Sequence, residues 1–277
     1  MASSAHRPHP LRQAKPMLRT PPPSALTIAG SDSGGGAGIQ ADLKTFHALG
    51  VHGLSVITAV TSQNTRAVTA VHALPQAHIR SQIDAVFKDF PIRSVKTGML
   101  GGAAVVRTVA GELARRKPPA LVVDPVMIAT SGARLLDAEA VAVLIARLLP
   151  LADILTPNLP EAEVLLDRPI RTAAEAERAC RELRTLGPRA VLLKGGHARG
   201  RTVVDRYCDE RGLIEIRHPR LAFEAHGTGC TLAAAIAAEL AKGRPMRTAV
   251  RRAIAYVHRA LARGYRPGGG AVLVLGH

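Results

Sequence analysis

Near its carboxyl end the chain carries a loop with two glycines that leads directly into an alanine-rich segment. The loop reads Ala225-His226-Gly227-Thr228-Gly229-Cys230-Thr231, and Leu232–Leu240 follows it. Alanine and leucine are the strongest helix formers, so the segment is predicted to be a helix that begins in the loop. Unpaired N–H groups and the helix dipole attract anions to such a terminus, and glycine lets an anion approach the backbone. The loop therefore predicts a phosphate or oxyanion site; the alternative is a turn without a ligand.

Cys230 lies in the first turn of this predicted helix. A helix N-terminus stabilises a thiolate, so we expect the pKa of this thiol to be lowered; the alternative is a small buried apolar side chain. The chain has three cysteines, Cys180, Cys208 and Cys230, and no CxxC motif. They predict a reducing, cytoplasmic setting rather than a disulfide framework.

The formal net charge of +16 raises the question of nucleic-acid binding. The densest basic run lies between Lys242 and Arg266, at a three- or four-residue spacing that places the cations on one or two faces of a helix. A solvated helix face explains this spacing, and aromatic residues for stacking on bases are scarce. We expect no nucleic-acid partner, although the positive field would attract anionic substrates. No apolar stretch of about 18 residues exists, so no membrane span is expected.

Predicted strands and helices alternate along most of the chain. Residues 1–24 are rich in proline, arginine and histidine and predict a disordered basic extension. From Ala25 onwards, short apolar strands alternate with helical segments, and a hairpin is expected around Glu210-Arg211-Gly212. This pattern predicts a mostly parallel sheet with helices on both faces, in a single domain over residues 25–277.

Polar or glycine-rich segments follow several predicted strands, namely after Ala29, Lys96, Asp124, Thr156 and Leu193. Ligands bind beyond the carboxyl ends of the strands in such sheets, so these segments predict one site. For three sets of residues, two interpretations each stay open at this stage. Asp124 is a magnesium ligand or a loop brace, Asn158 and Glu161 bind a ligand or form a capping box, and Lys194 binds phosphate or is a surface charge.

Several common sites are excluded. The first glycine loop, Gly34–Gly38, is not a dinucleotide fingerprint, because the third required glycine is replaced by Ile39. No P-loop, HExxH, EF-hand or paired CxxC motif occurs. A dedicated metal site is therefore not predicted, whereas magnesium carried by a nucleotide is allowed.

Seven segments together resemble the hydroxymethylpyrimidine/phosphomethylpyrimidine kinases of thiamine biosynthesis. In chain order they are Ala25–Phe46, Ser55–Thr65, Lys96-Thr-Gly-Met-Leu100, Asp124-Pro-Val-Met127, Thr156-Pro-Asn-Leu-Pro-Glu-Ala162, Lys194-Gly-Gly-His197 and His226-Gly-Thr-Gly-Cys230. The resemblance extends from residue 25 to about residue 265. Seven motifs in the order of the family make the match specific.

The resemblance implies a ribokinase-like α/β fold, with a central mostly parallel sheet, helices on both faces and a small extra β element. It also implies roles for residues of this chain. The residues expected to contact the substrate are Gln63, Gly30, Asp42, Met99 and Val126. Those expected to contact ATP are Lys194, Asn158, Glu161 and Thr228, and magnesium would be held through the nucleotide phosphates by Asp124 and Glu161. The expected anion hole consists of Gly227, Thr228 and Gly229, and the expected catalytic base is Cys230.

The activity implied by the resemblance is ATP-dependent phosphorylation of hydroxymethylpyrimidine and then of its monophosphate, with ATP and magnesium as cofactors. The implied protein is a cytoplasmic homodimer that binds small molecules and neither nucleic acid nor membrane. Two alternatives remain. One is a pyridoxal or pyridoxine kinase, or an enzyme with both activities, and the other is a pyrimidine-binding regulator without catalysis.

Overall fold

The computed structural model describes residues 20–127, 136–196, 200–221 and 225–277. Within this part of the chain, nine strands form one sheet in the order β3-β2-β1-β4-β5-β6-β7-β8-β9, and β10 and β11 form a separate pair. The strands are β1 Ser24–Asp32, β2 His52–Gln63, β3 Val68–Ala73, β4 Ile92–Thr97, β5 Leu121–Val123, β6 Ile154–Leu155, β7 Ala190–Leu193, β8 Thr202–Asp209, β9 Gly212–Pro219, β10 Ala225–His226 and β11 Leu273–Val274. The helices are α1 Gly38–Ala48, α2 Gln76–Asp89, α3 Ala103–Arg116, α4 Ala138–Val143, α5 Leu159–Leu166, α6 Ala173–Thr185, α7 Thr228–Ala241 and α8 Met246–Ala262.

The central strands, from β2 through β1, β4, β5 and β6 to β7, pair in parallel. Antiparallel strands lie at both edges, with β3 on β2 and the β8–β9 hairpin on β7. The expected ribokinase-like α/β fold is confirmed, with additional β elements at the edges. The expected hairpin is also present, since Asp209 pairs with Gly212 across its turn. The β10–β11 pair was not predicted.

Alternate residues of each strand face opposite sides of the sheet. On β1, Leu26 and Ile28 belong to the core beneath α2–α6, whereas Ala25 belongs to the core beneath α1, α7 and α8. Helix α7 is buried without interruption from Thr231 to Glu239, as expected for a helix that is apolar on almost every side. It therefore runs through the interior, and its first turn is held at one end of the sheet.

Helix α8 confirms the interpretation of the basic run as a solvated helix face. Its apolar side, with Val250 and Ile254, is buried, and Arg251 and Arg252 are exposed. None of the helices in the described ranges is long and apolar enough to cross a bilayer. Residues 1–19, which make up most of the expected extension, lie outside the described residues, and β1 begins at Ser24.

Candidate active site

The N-terminus of α7 is shaped by two glycines. Gly227 precedes the helix with φ +83°, and a Cβ there would lie 2.0 Å from the carbonyl oxygen of Gly36. Both the left-handed backbone and this contact require glycine. The N–H of Thr231 donates to the Gly227 carbonyl at 2.9 Å, so the three preceding N–H groups, of Thr228, Gly229 and Cys230, have no partner within the helix. Two of these N–H groups, of Thr228 and Gly229, belong to the expected anion hole; the third belongs to Cys230 rather than to Gly227.

A lysine and a carboxylate meet this terminus. A Cβ on Gly229 would lie 3.2 Å from Lys194 Nζ and 3.8 Å from Asp124 Oδ2. Lys194 follows β7 and Asp124 follows β5, and the two strands are separated only by β6. The carboxyl ends of parallel strands thus place both side chains against the helix, as the strand-end pattern predicted.

Lys194 forms ion pairs with two carboxylates. Its Nζ lies 3.1 Å from Asp124 Oδ1 and 3.7 Å from Glu161 Oε2. Burial lowers the pKa of Lys194, but the two carboxylates outweigh burial and raise it above its usual range. Burial also raises the pKa of the Glu161 carboxyl, against the opposing effect of Lys194. The lysine is therefore positively charged at neutral pH, beside the N-terminus of α7.

Asn158 and Glu161 form the capping box that was one of the two interpretations of their spacing. Asn158 Oδ1 accepts the Glu161 N–H at 2.8 Å, and Glu161 Oε2 accepts the Asn158 N–H at 2.8 Å. The same Glu161 oxygen faces Lys194. The capping box therefore fixes the Glu161 carboxylate beside Lys194. Glu161 thus both caps α5 and lies in the site.

The described residues contain no group of three or more His, Cys, Asp or Glu side chains that could hold a metal ion. The acidic side chains at the site are Asp124 and Glu161, both held by Lys194. Magnesium needs only one or two carboxylates when phosphate oxygens complete its coordination. This donor set fits an ion that is shared with a nucleotide.

Three of the expected ring contacts, Gly30, Met99 and Val126, lie at or just after strands of the sheet. A Cβ on Gly30 would lie 2.3 Å from the methyl carbon of Met99, so the glycine makes room for this side chain. Thr58 Oγ1 donates to the Met99 carbonyl at 2.7 Å and fixes the segment. Val126 is half-buried just after β5. These three expected residues surround the carboxyl ends of β1, β4 and β5.

Gln63 ends β2 and contacts a histidine that received no role from the sequence. Gln63 Nε2 lies 2.8 Å from Nε2 of His226, which itself lies 3.4 Å from Asp32 Oδ2. His226 is brought here by the β10–β11 pair, which consists of only two residues on each strand. Its position next to the GTGC loop was visible in the sequence, but nothing in the pattern indicated Gln63 as its neighbour.

Asp42 is sealed inside the protein. Its Oδ2 lies 2.8 Å from Lys96 Nζ and accepts from Thr27 Oγ1 at 2.6 Å, and the side chains of Asp42 and Lys96 are both 0% exposed. Burial lowers the pKa of Lys96, but the charge and hydrogen bond of Asp42 together with the other acidic groups nearby outweigh burial and raise it. Lys96 was part of a recognised motif, yet its position in an apolar strand did not reveal this ion pair.

The expectation of a lowered thiol pKa at Cys230 is wrong for the structure. Desolvation raises the pKa of Cys230 to about 11; Lys96 and a hydrogen bond from the Gly38 N–H act in the opposite direction but do not compensate. The neighbouring carboxylates of Asp42 and Asp124 raise it further. The thiol is therefore protonated at neutral pH, because burial and nearby anions outweigh the helix terminus.

The first glycine loop wraps around a carboxylate of the protein itself. Asp32 accepts the N–H groups of Gly34 at 2.8 Å, Gly36 at 3.1 Å and Ala37 at 2.8 Å. These donors would otherwise be available to a phosphate. Exclusion of this loop as a dinucleotide fingerprint thus agrees with its structure, where its N–H groups are occupied.

Comparison with known proteins identifies relatives over most of the chain. A family model described as phosphomethylpyrimidine kinase matches residues 32–274. A hydroxymethylpyrimidine/phosphomethylpyrimidine kinase of Rhizobium meliloti is 52% identical over 240 residues, which cover 86% of this chain and 90% of the relative. A thiamine biosynthesis bifunctional protein of Geobacter sulfurreducens is 49% identical over 88% of this chain. The chain spans about half of that protein, 51% of its length.

Solved structures show the same fold. A phosphomethylpyrimidine kinase of Clostridium difficile superposes with a TM-score of 0.77 at 45% identity and covers 86% of this chain and 99% of its own. A pyridoxal kinase of Bacillus subtilis in complex with ADP gives a TM-score of 0.85 at 32% identity, covering 92% and 97%. Sequence identity is thus higher to the pyrimidine kinase, whereas the backbone agrees with both.

Proposed function

The chain belongs to the phosphomethylpyrimidine kinase family, and from this membership we propose that it transfers the terminal phosphoryl group of ATP to hydroxymethylpyrimidine and then to the resulting monophosphate. This activity would serve thiamine biosynthesis. The observation that carries the proposal is the meeting of Lys194 and Asp124 with Gly229 at the N-terminus of α7. A cation, a carboxylate and free N–H groups at one point suit phosphoryl transfer, which needs charge stabilisation and alignment above all.

We assign the donor side of the reaction to the residues around Lys194. Its ammonium group would bind ATP phosphates together with the hydroxyl of Thr228. Asn158 and Glu161 would line the nucleotide site beside the lysine. Asp124 and Glu161 would hold magnesium, which neutralises phosphate charge when bound. The backbone of Gly227, Thr228 and Gly229 would bind the transferred phosphoryl group.

We assign the acceptor side to Gln63, Gly30, Asp42, Met99 and Val126. Gln63 would hydrogen-bond the aminopyrimidine, and Met99 with Val126 would contact the ring. Asp42 has no exposed surface, so its contribution would be made through its ion pair with Lys96. Cys230 would accept the hydroxyl proton in the first step as its thiolate; because the pKa of its thiol is about 11, only a small fraction of the protein carries this thiolate at neutral pH.

The second phosphorylation needs no base, because the acceptor is already an anionic phosphate. The two steps would therefore use the same donor side and differ in their need for Cys230. Assembly as a homodimer, residence in the cytoplasm and a preference for small molecules over nucleic acid stay predictions that accompany this proposal.

A pyridoxal kinase activity is the second candidate, supported by the TM-score of 0.85 to the Bacillus subtilis enzyme. The deciding experiment offers hydroxymethylpyrimidine, its monophosphate and pyridoxal side by side with ATP and magnesium, and follows ADP release and product mass. Formation of the pyrimidine diphosphate supports the two-step kinase. Phosphorylation of pyridoxal alone replaces it with the second candidate, and ligand binding without any turnover indicates a regulator.

A further inference from the structure

The loop that carries Lys194 is held by hydrogen bonds on both sides of that residue. On one side, the Lys194 N–H donates to the Pro157 carbonyl at 2.8 Å, in a parallel bridge that continues the pairing of β6 with β7. On the other side, backbone pairing between β7 and β8 ends at Leu193 and Arg206. The next donor of the loop therefore needs a different acceptor.

That acceptor is Asp205 of β8. Its Oδ1 accepts the Gly195 N–H at 2.8 Å, and the residue is only 5% exposed. Gly195 lies directly on the strand, since a Cβ there would come within 2.1 Å of the Val204 carbonyl oxygen. Only a residue without a side chain brings its N–H this close to Asp205.

The second oxygen of Asp205 is also held. Nε2 of His218, on β9, lies 3.1 Å from Asp205 Oδ2, and the His218 ring packs edge-on against His258 of α8 at 5.9 Å between centroids. The hydrogen bond to Asp205 raises the pKa of His218. The hairpin and α8 thus fix the carboxylate, and the carboxylate in turn fixes the loop.

We infer that Asp205 is a positioning residue for the nucleotide-binding lysine: it orients the peptide unit after Lys194, so that the ammonium group points at the phosphates of a nucleoside triphosphate. Peptide units are planar, so hydrogen bonds from the N–H groups of Lys194 and Gly195 fix both planes that meet at the Lys194 Cα. The direction of the Cα–Cβ bond follows from these planes. A long, flexible lysine side chain reaches one point reproducibly only if its base is fixed in this way.

This inference rests on the proposed function, because it takes Lys194 as the ATP-binding residue. The test is direct titration of the full chain with magnesium–ATP in the absence of acceptor, by calorimetry, comparing wild type with Asp205→Ala, Asp205→Asn and Asp205→Glu. Asp205→Ala should weaken binding about tenfold or more, because a buried N–H loses its acceptor and the loop moves to satisfy it. Asp205→Asn keeps an oxygen at the same place and should restore most of the affinity.

A matched control lies at the far end of the same strand. Asp209 accepts from Arg247 and from the Arg211 N–H, and within the described residues no hydrogen bond joins its side chain to Lys194 or Gly195. Asp209→Ala should lower the melting temperature and leave magnesium–ATP affinity unchanged. Asp205→Glu, which keeps the charge but displaces the oxygen by one methylene, serves if Asp205→Ala does not fold, and it should also weaken binding.

Unchanged affinity in Asp205→Ala or Asp205→Glu, with a fall in melting temperature like that of Asp209→Ala, would overturn the inference and leave Asp205 as a brace of the hairpin. A wild-type protein that binds magnesium–ATP but phosphorylates no pyrimidine would disprove the proposed function only. The comparison of the Asp205 variants would then still decide the positioning role, because it measures magnesium–ATP binding and needs no phosphoryl-acceptor substrate.

Discussion

Two lysine–aspartate pairs flank the start of α7, and they differ in their access to solvent. Lys96 and Asp42 lie 2.8 Å apart with both side chains 0% exposed. Lys194 and Asp124 lie 3.1 Å apart, and the Lys194 side chain is 14% exposed. The first pair is closed on every side, whereas the second has a free approach to its cation.

The difference in access indicates a difference in use. An ammonium group that water reaches can exchange a carboxylate partner for a phosphate. Lys194 has two such partners, Asp124 and Glu161, that a phosphate could replace. A sealed pair has no ligand to exchange with and acts only through its field and its packing. We therefore expect the Lys194 pair to determine activity and the Lys96 pair to determine stability and the ionisation of Cys230.

The largest expected effect is on stability. Lys96→Met leaves the Asp42 carboxylate buried without its cation, which should cost about 3–5 kcal/mol of unfolding free energy. Urea denaturation measures this loss. The double variant Lys96→Met with Asp42→Asn should recover much of it, because no unpaired charge remains. The expected structural role of the sealed pair is wrong if Lys96→Met has the unfolding free energy of the wild type.

The next effect is on catalysis. Lys194→Met removes the cation that faces the anion hole, so kcat/KM for both phosphorylations should fall by about 10²–10³. Steady-state kinetics at saturating magnesium measures this change. Lys194→Arg keeps the charge and should retain part of the activity. A loss below about tenfold would show that Lys194 is only a partner of the two carboxylates.

Cys230→Ala separates the two chemical steps. The first phosphorylation should slow by about 10² or more, the usual contribution of a general base, while the second should change little because its acceptor is already an anion. Rates from hydroxymethylpyrimidine and from its monophosphate, measured in parallel, give this ratio. Equal losses in both steps would rule out the base role and leave Cys230 as part of the anion hole.

The smallest effect concerns the ionisation of Cys230. Because its thiol pKa is about 11, the rate of alkylation by iodoacetamide should keep rising from pH 7 up to about pH 10, roughly tenfold per pH unit. Loss of the Lys96 cation in Lys96→Met should raise this pKa and slow alkylation at pH 8. Loss of the Asp42 anion in Asp42→Asn should lower it and speed alkylation.

Peptide mass mapping shows which cysteine is alkylated. We expect the label on Cys230, because Cys180 and Cys208 are only 0% and 2% exposed. Variants that move the profile in the same direction would mean that both act by loosening the fold rather than by their charge. A plateau of the wild-type rate near pH 8 would show that the helix terminus dominates after all.

Local pattern predicted much of this molecule. The glycine loop and alanine-rich helix, the alternation of strands and helices, the hairpin at Glu210–Gly212 and the solvated face of α8 all depend on residues close in sequence. The capping box of Asn158 and Glu161 also spans only three positions. The meeting of Lys194 with Asp124 followed from a topological rule, because the carboxyl ends of all parallel strands in a sheet lie at the same edge.

Other features had no local signal. Lys96 and Asp42 are 54 positions apart, and Gln63 and His226 are 163 apart. The two-residue pair β10–β11 is too short for a periodic pattern, yet it brings His226 to Gln63. Asp205 has the local pattern of any polar residue in a strand, and only the tertiary structure brings it to the loop after β7.

By itself the sequence determined the fold class, the family and the set of residues at the strand ends. Regular hydrogen bonding and apolar periodicity are repeated along the chain, so they can be recognised from a short window. Only the tertiary structure decided which lysine is sealed and which is open, that the Cys230 thiol is protonated, and which carboxylate fixes the loop of Lys194. These properties depend on the solvent exclusion and the charges that distant segments bring to one point, and a pKa responds to their sum.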